Sequence, residues 1–346
     1  MGERILIGMS GGLDSAWTAR LLREAGYAVE GAVLKMHENT DLEGAAECAA
    51  DLGIPLHVVD CTASFQEFVV ERFVDDYRRA RTPNPCVVCN SEVKLRELAR
   101  AADRLGIHWI ATGHYASVLR TEEGRYCIGL PEDGAKDQSY MLYRLPEEIL
   151  SRLVLPLSSH VKKDIRREAS SLMPRVAEKK ESQEICFVPE GHYTDFLRER
   201  GVVGREGDFV DEEGRGLGRH KGLVYYTVGQ RKGLGVSSTG RLFVKRLEPD
   251  TNRVVLTTSP ASGSVRIRLE EVVFQAVVAT AAFEEQEDLT VMLRYRSHRY
   301  PARVAREGED WFILVDSVAG AVSPGQSAVV YKGDAVALGG IIADVK

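Results

Sequence analysis

The sequence has no long apolar run, few cysteines and no internal repeat or low-complexity tract. None of its hydrophobic stretches approaches the ~20 residues needed to cross a bilayer, so we expect no membrane segment. Six cysteines spread over 346 residues are too sparse for a disulfide scaffold and favour metal or redox chemistry in a reducing compartment. The first residues are typical of a folded strand and not of a signal or transit peptide. These absences together predict a cytoplasmic protein.

Two common nucleotide-binding signatures are also absent. The first strand and helix are joined without the Gly-Lys-Ser/Thr ending of a Walker loop and without G-x-G-x-x-G. They are joined instead by Ser10-Gly11-Gly12-Leu13-Asp14-Ser15, in which two glycines let the backbone approach a ligand closely. Free N–H groups and the positive helix end then suit an anion such as pyrophosphate. This segment resembles the PP-loop of ATP pyrophosphatases; in a plainer interpretation, Asp14 or Ser15 only caps the helix.

Periodicity predicts an α/β beginning and a β-rich end. Apolar runs alternate with helical patterns, which favours a parallel sheet with helices on both faces; the runs are 28–36, 55–61 and 109–115, and the helical patterns are 43–52, 65–81, 91–105 and 137–145. After residue 202 the pattern changes to short strands and glycine-rich turns, ending in a small barrel. We predict a PP-loop catalytic domain at 1–201, a small basic β-rich domain at 202–262 and a C-terminal β-barrel at 263–346.

The expected ligand site lies at the carboxyl ends of the parallel strands, near a switch point of the sheet. The loop after the first strand and Thr112-Gly113-His114 after a later strand should therefore converge. Leu34, near the end of the second strand, would then be placed to touch an adenine.

The charge distribution favours a nucleic-acid partner despite a net charge of −6. Eight basic residues and no acidic ones lie between Arg215 and Arg246, and five arginines and no acidic residues lie between Arg294 and Arg306. Tyrosines are interleaved in or beside both windows. Charge runs are usually solvated faces, but two such windows favour contacts with a phosphate backbone.

The cysteines supply candidate chemistry. A proline-stiffened loop, Thr82 to Pro85, leads into Cys86-Val87-Val88-Cys89, so Cys89 should lie near a helix N-terminus that lowers its thiol pKa. A second candidate nucleophile, Cys186, lies far away in sequence. An ATP-activating loop with two thiols suggests sulfur transfer to an adenylated oxygen. A structural zinc site is the alternative, although Cys86, Cys89 and Cys186 give only three thiolates with no obvious histidine to complete the set.

Six motifs in this order resemble the tRNA-specific 2-thiouridylase family over essentially the whole chain. They are Ser10 to Ser15, Thr82 to Asn90, Ala111 to Tyr115, Lys136 to Tyr140, Ile185 to Phe187 and Tyr226 to Gly235. The resemblance implies that ATP, with Mg²⁺ neutralising its phosphates, is used to adenylate O2 of the wobble uridine of tRNA. The implied ATP-binding residues are Gly8, Met9, Ser10, Gly11, Gly12, Leu13, Asp14, Ser15, Leu34 and Gly113.

The resemblance also implies how sulfur is transferred, with Asp14, Cys89 and Cys186 as the catalytic residues. Cys186 would carry a persulfide supplied by a cysteine desulfurase or a sulfur-relay protein, and its outer sulfur would attack C2. Cys89 would resolve the intermediate and form a disulfide with Cys186.

The implied tRNA contacts fall into two groups. Asn84, Pro85 and Cys86 would face the target base. The other contacts would be His114, Lys136, Asp137, Gln138, Arg294, Tyr295 and Gln326. Asp137 is also a plausible acid/base or metal contact, although a mid-chain aspartate is more often a helix cap.

One position departs from the familiar members of the family, which have an aspartate where this chain has Cys86. Cys86, Cys89 and Cys186 could hold a [4Fe–4S] cluster with one iron open to inorganic sulfide, in which case no protein persulfide is needed. Cys86 could instead replace the aspartate as a base contact or serve as a spare redox thiol. The persulfide and cluster mechanisms use the same residues, and the sequence leaves both open.

Two other functions are compatible with a PP-loop. An amide-forming ligase would not need the cysteine pair, so alanine at Cys89 and Cys186 would leave it active. A non-catalytic, ATP-responsive RNA-binding protein would release no pyrophosphate in the presence of unmodified tRNA.

Overall fold

The computed structural model describes residues 2–179, 185–188, 193–238, 240–259, 263–278, 286 and 288–346. Residues 181–184, which precede Cys186, and the predicted boundary at 260–262 lie outside the described residues.

A parallel sheet forms the first part of the chain, as the alternating pattern predicts. Its strand order is β3-β2-β1-β4-β7, and every neighbouring pair is parallel. Ile5, Leu6 and Ile7 of the central strand are fully buried, because helices cover both faces of the sheet. The strands of this region are β1 (Arg4–Gly8), β2 (Ala28–Lys35), β3 (Leu56–Asp60), β4 (Trp109–Ala111), β5 (Ser117–Arg120), β6 (Tyr126–Gly129) and β7 (Leu153–Val154).

Helices pack around this sheet. Local signals set their ends: the Asp41 carboxylate accepts a 2.8 Å hydrogen bond from the Gly44 amide at the start of α2, and Gly53, with φ of 61°, ends the same helix. The helices are α1 (Leu13–Glu24), α2 (Leu42–Leu52), α3 (Thr62–Phe65), α4 (Arg72–Arg78), α5 (Pro85–Val88), α6 (Leu95–Arg104), α7 (Glu147–Leu150), α8 (Lys162–Leu172), α9 (Pro174–Ala177) and α10 (Tyr193–Glu199).

Two of the predicted helices contain π-helical segments. Gln66–Glu71 joins α3 to α4, and Cys89–Lys94 joins α5 to α6. The 3.6-residue pattern predicts neither interruption. Because π-helical turns are rare and frequent at functional sites, the second segment marks the Cys86 and Cys89 region for attention.

A small four-stranded sheet follows, with the order β10-β11-β8-β9. It encloses a separate core that includes Phe209, Tyr226 and Val254. Its strands are β8 (Gly207–Val210), β9 (Gly216–His220), β10 (Phe243–Glu248) and β11 (Arg253–Thr257).

The last described region is a closed antiparallel barrel. The strands pair in the order β12-β15-β14-β13-β16-β17, and pairing between β12 and β17 closes the ring. The strands are β12 (Gly263–Phe274), β13 (Leu289–Met292), β14 (Arg299–Glu307), β15 (Asp310–Val318), β16 (Ser327–Lys332) and β17 (Ala335–Val345). The predicted fold class, a PP-loop parallel sheet followed by a small β-rich part and a β-barrel, is confirmed.

The barrel packs directly on the first part of the chain. Strand β6 extends the barrel sheet beside β17. The side-chain nitrogen of Gln275 donates to the carbonyls of Leu142, Tyr143 and Leu145. The predicted helix over 137–145 is wrong: only a short 3₁₀ turn forms at Ser139–Met141. Tyr140 and Tyr143 in this segment are fully buried and bond to Ser327 of the barrel, and these tertiary contacts override the helical pattern.

Within the described residues, no helix has both the length and the apolar character required to cross a bilayer.

Candidate functional site

The loop between β1 and α1 is held in shape by its own hydroxyl groups. The Ser10 amide donates to Ser15 Oγ at 3.2 Å, and Ser15 Oγ donates to the Gly12 carbonyl at 3.0 Å. Gly12 is the N-cap of α1, so no side chain caps this helix, and capping by Asp14 or Ser15 is not observed. The first-turn amides and the positive end of a twelve-residue helix are therefore left to interact with an anion.

Two glycines allow close approaches to this loop. Gly11 has φ of +70°, and a Cβ there would lie 2.7 Å from the Gly44 carbonyl carbon in α2. A Cβ on Gly113, after β4, would lie 2.8 Å from the Asp14 carbonyl carbon and 3.0 Å from the Ser15 nitrogen. The loops after β1 and β4 converge, as the sequence predicts. Any side chain at position 113 would push against the first turn of α1.

Three other predicted ATP-binding residues, Met9, Leu34 and Gly8, lie at the same edge of the sheet, and ordinary packing explains their positions. Met9 is buried, and its side chain packs over Gly31. Leu34 is half-buried near the carboxyl end of β2. A Cβ on Gly8 would meet Leu98 and Thr112 at ordinary contact distances, so the space around Gly8 does not require a glycine.

A lysine that the sequence analysis missed lies at the PP-loop. Lys162 is 6% exposed, and its ammonium forms an ion pair with the Asp14 carboxylate. The same carboxylate accepts a 3.1 Å hydrogen bond from the Tyr115 hydroxyl. The Lys162 nitrogen is 5.5 Å from the centre of the Tyr115 ring. In the sequence, Lys162 and Lys163 are adjacent lysines, and no pattern distinguishes one from the other. The fold brings it to Asp14 from 148 positions away.

The three candidate thiols differ in exposure. Cys86 and Cys186 are exposed, whereas Cys89 is 5% exposed and its sulfur lies 3.8 Å from the Met36 sulfur. Burial raises the pKa of the Cys89 thiol to about 12, although the nearby Lys94 ammonium opposes the shift. The expectation of a lowered Cys89 pKa is wrong for this state, because desolvation outweighs the helix dipole.

Lys94 is a second lysine that the sequence analysis missed. Burial alone would lower the pKa of Lys94, but the charges of Cys89, Cys86 and Cys186 outweigh this effect and raise it. Although Cys186 as a residue is exposed, surrounding protein atoms desolvate its sulfur and raise the pKa of its thiol, and the same ammonium works against this rise. Lys94 is thus the cation that the three thiols share. No motif identified it because its spacing from Cys89 depends on the π-helical segment.

His114 connects the two parts of the site. Its Nδ1 lies 2.9 Å from Thr112 Oγ1, and burial together with the Lys94 charge lowers its pKa to about 3. His114 is therefore neutral at physiological pH. Its neighbour Gly113 touches the PP-loop, so two consecutive residues link the PP-loop to the surroundings of Lys94.

The thiols show neither a disulfide nor a metal-binding arrangement. All six cysteines are described and all are free. In the described residues no group of three or more histidine, cysteine, aspartate or glutamate side chains is arranged to hold a metal ion. The structure therefore does not group Cys86, Cys89 and Cys186 as metal ligands.

Most predicted tRNA contacts near the thiols are engaged with protein groups. The Asp137 carboxylate accepts a hydrogen bond from the Ser139 amide at 2.8 Å and pairs with Arg299 at 3.2 Å, but the N-cap of the 3₁₀ turn is Gln138 and not Asp137. Gln138 Oε1 accepts a hydrogen bond from the Tyr115 backbone amide at 2.9 Å.

The other predicted contacts differ in exposure. Asn84 is half-buried with its side-chain nitrogen 3.9 Å from the Met141 sulfur, Pro85 is buried, and Lys136 is half-buried. Gln326 bonds to backbone carbonyls, and Arg294 is exposed beside the half-buried Tyr295.

The basic windows contain fewer unpaired charges than the sequence implies. Arg215, Arg219, Lys245 and Arg246 all form ion pairs with nearby acidic residues. By contrast, none of the carboxylates that the structure describes pairs with Arg231, Lys232 or Arg241. These three residues, called the cationic loop, are exposed, and two of them line an open cleft of about 490 Å³ with Leu234 and Ser238.

Family comparisons match three consecutive parts of the chain. Residues 3–190 match a tRNA methyl transferase HUP domain, 194–258 a tRNA methyl transferase PRC-barrel domain and 264–342 an aminomethyltransferase beta-barrel domain.

Three relatives that match nearly the whole chain carry the same name. The tRNA-specific 2-thiouridylase MnmA of Clostridioides difficile is 36% identical, covering 99% of this chain and 98% of the relative. The protein of the same name from Leptospira biflexa is 40% identical, and the match covers 98% of this chain and 93% of the relative. That from Syntrophomonas wolfei is 39% identical, and the match covers 98% of this chain and 99% of the relative. With this identity over nearly the whole length, the chain belongs to the tRNA-specific 2-thiouridylase family.

Proposed function

We propose that this chain is a cytoplasmic enzyme that uses ATP to replace O2 of the wobble uridine of tRNA with sulfur. The observation that carries the proposal is the pairing of Gly113 with His114. Gly113 packs on the PP-loop, and the charge of Lys94 lowers the pKa of His114. Lys94 also interacts electrostatically with Cys86, Cys89 and Cys186. This proximity supports placing adenylation beside sulfur transfer. We assign these functions to a catalytic domain at 1–201, with tRNA held mainly by domains at 202–262 and 263–346.

The PP-loop would bind the phosphates of ATP through the first turn of α1, with Leu34 near the adenine. Lys162 supplies a buried positive charge beside the loop and keeps the Asp14 carboxylate in place. Mg²⁺ would enter with the nucleotide, since it binds mainly through phosphates and water, and Asp14 is the carboxylate of the loop that could contact it. Attack of uridine O2 on the α-phosphorus would release pyrophosphate and leave AMP as the leaving group at C2.

Sulfur transfer would use Cys186 and Cys89 in sequence. Cys186 is exposed, so a cysteine desulfurase or a sulfur-relay protein could load it with a persulfide. The outer sulfur would attack C2 and displace AMP. Cys89 would then attack the Cys186 sulfur, which releases 2-thiouridine and leaves a disulfide between Cys89 and Cys186 for an external thiol to reduce. Lys94 would stabilise the thiolates that form at each step.

We favour the persulfide over the cluster mechanism because the described thiols are not arranged as a metal site. Iron and acid-labile sulfide, measured after strictly anaerobic purification and reconstitution, test this choice. We expect no stoichiometric iron, and thiolation that survives Cys86→Ala. About four irons per chain, lost in Cys86→Ala, would overturn the persulfide mechanism and make inorganic sulfide the sulfur source.

The overall reaction is tested with purified protein, a sulfur donor and an unmodified tRNA transcript. We expect ATP-dependent pyrophosphate release together with formation of 2-thiouridine. Cys89→Ala and Cys186→Ala should retain pyrophosphate release and lose thiolation. A ligase would keep its full activity in both variants, and an RNA-binding protein without turnover would release no pyrophosphate.

A further inference from the structure

The segment that precedes Cys86 has little internal support. Residues Arg81 to Asn84, called the Thr82 loop, lie outside any helix or strand between α4 and α5. Pro83 and Pro85 have no backbone N–H, so this stretch can make few hydrogen bonds of its own. The loop still determines where Asn84, Pro85 and Cys86 lie, the residues we assign to the target base. Its order must therefore come from other parts of the chain.

A turn of the C-terminal barrel supplies that order. The Thr82 amide donates to the Pro324 carbonyl at 2.9 Å. The Gln326 side-chain nitrogen donates to the carbonyls of Thr82 at 2.9 Å and Pro83 at 3.2 Å. An amide nitrogen has two hydrogens, so both Gln326 donors are used within the protein. With only 8% of Gln326 exposed, its amide nitrogen has no donor left for RNA in this state.

The turn itself is fixed to the barrel. The Gly325 amide donates to the Ile342 carbonyl, and the Ile342 amide donates to the Gln326 carbonyl, both at 2.8 Å. Gly325 has φ of +91°, and a Cβ there would lie 2.9 Å from the Thr82 nitrogen and from Arg81 Cβ. The backbone of the turn therefore touches the Thr82 loop directly. Gln326 projects from this turn onto a loop that is also held at its first residue, where the Arg81 guanidinium pairs with Glu270 of the barrel.

We propose that Gln326 is a positioning residue, which promotes sulfur transfer by holding the Thr82 loop through the Thr82 and Pro83 carbonyls and not by binding tRNA. The inference rests on the proposed function for its catalytic consequence, whereas the ordering of the loop can be measured without any reaction. Misplacing catalytic groups by about 1 Å can cost up to ~100-fold in rate, so the effect on turnover should be large.

The test uses the full chain with Gln326→Met, which keeps the size of the side chain and removes the donors without adding charge. Hydrogen–deuterium exchange is followed in a peptide spanning residues 80–85. Pro83 and Pro85 have no backbone N–H, so the loop amides that report on order are mainly those of Thr82 and Asn84. Without tRNA or ATP, we expect exchange to speed up about tenfold or more. The single-turnover thiolation rate constant at saturating tRNA should fall about 10- to 100-fold, while the Kd for tRNA changes less than about twofold.

Two glycine variants complete the design. Gly325→Ala, which presses on Thr82 without altering Gln326, should reproduce the faster exchange and the slower thiolation. Gly333→Ala is the matched control, because Gly333 also has positive φ in the barrel but faces open space. It should leave both measurements unchanged.

Unchanged exchange in Gln326→Met, with or without weaker tRNA binding, would overturn the proposal. Faster exchange with an unchanged thiolation rate constant would overturn it as well. Failure of the wild type to thiolate tRNA would refute the proposed function, and the exchange data would still decide whether Gln326 orders the loop.

Discussion

Replacing Lys162 with methionine removes the buried ammonium beside the PP-loop while keeping most of the side-chain volume. In the variant, Asp14 would keep its hydrogen bond to the Tyr115 hydroxyl but lose its ion pair. The phosphates of bound ATP would lose a cation that is held in a largely dehydrated position. We therefore expect Lys162→Met to impair both the adenylation reaction and the stability of the protein.

The two effects differ in size and origin. Removing one preorganised charge that faces a developing negative charge typically costs a factor of 10² to 10³ in rate, and we expect tRNA-dependent pyrophosphate release to fall by about that factor. Breaking a fully buried ion pair costs about 3–5 kcal/mol. Because the Asp14 side chain is 35% exposed, water screens it, and we expect about 1–3 kcal/mol.

A double variant separates these effects. In Asp14→Asn with Lys162→Met, no unpaired charge remains, so most of the lost stability should return while pyrophosphate release stays low. Lys163→Met is the matched control, since Lys163 is exposed on the same helix. Normal pyrophosphate release by Lys162→Met, or an equal defect in Lys163→Met, would refute this assignment.

Three further predictions concern other parts of the chain. Cys86→Asp should retain thiolation within about threefold of the wild type in a multiple-turnover assay, since the persulfide mechanism does not use the Cys86 sulfur; complete loss would contradict that mechanism. Alanine at all three positions of the cationic loop should weaken tRNA binding and reduce the slope of log K against log salt by about 2, whereas alanine at the ion-paired Arg215 and Arg219 should change the slope by less than about 1. Burial raises the pKa of Asp76 to about 6, so the folded state binds an extra proton between about pH 4 and 6 and stability falls as the pH rises through that interval. Asp76→Asn should therefore stabilise the protein by about 1–3 kcal/mol at pH 7.5 and by much less at pH 4, as measured by denaturant unfolding; equal effects at both pH values would contradict this linkage.

The parts of the fold that the sequence predicts are those determined by local patterns. The apolar run Arg4 to Met9, followed by two glycines and an amphipathic helix, is sufficient to place the PP-loop and the orientation of α1. The alternation of strands and helices then predicts that Gly113 meets that loop, because parallel strands end at one edge. These features depend on neighbouring residues and on general rules of sheet topology.

The parts that the sequence does not predict depend on contacts between distant residues. Nothing near Lys162 indicates that the fold buries its ammonium against Asp14. The segment 137–145 has a helical pattern, yet its buried tyrosines bond to Ser327, almost 190 positions later. Gln326 is likewise an ordinary polar residue until the barrel is in place. For the basic windows, the sequence gives the number of charges but not which of them acidic neighbours neutralise.

The π-helical segment Cys89–Lys94 has a geometric consequence for the thiol site. In an α-helix each residue advances the helix by 100°, so two residues five apart point about 140° away from each other. A π-helical turn forms hydrogen bonds between residues five apart and brings such a pair towards the same side. Cys89 and Lys94 are five residues apart, and the wider turn accounts for their meeting. Regular α-helical winding of the same residues would turn Cys89 and Lys94 about 140° apart, so the thiol and its cation would face different sides of the helix although both groups would still be present. Deleting one residue between them would also restore α-helical winding, but it would leave the pair four residues apart and on the same side.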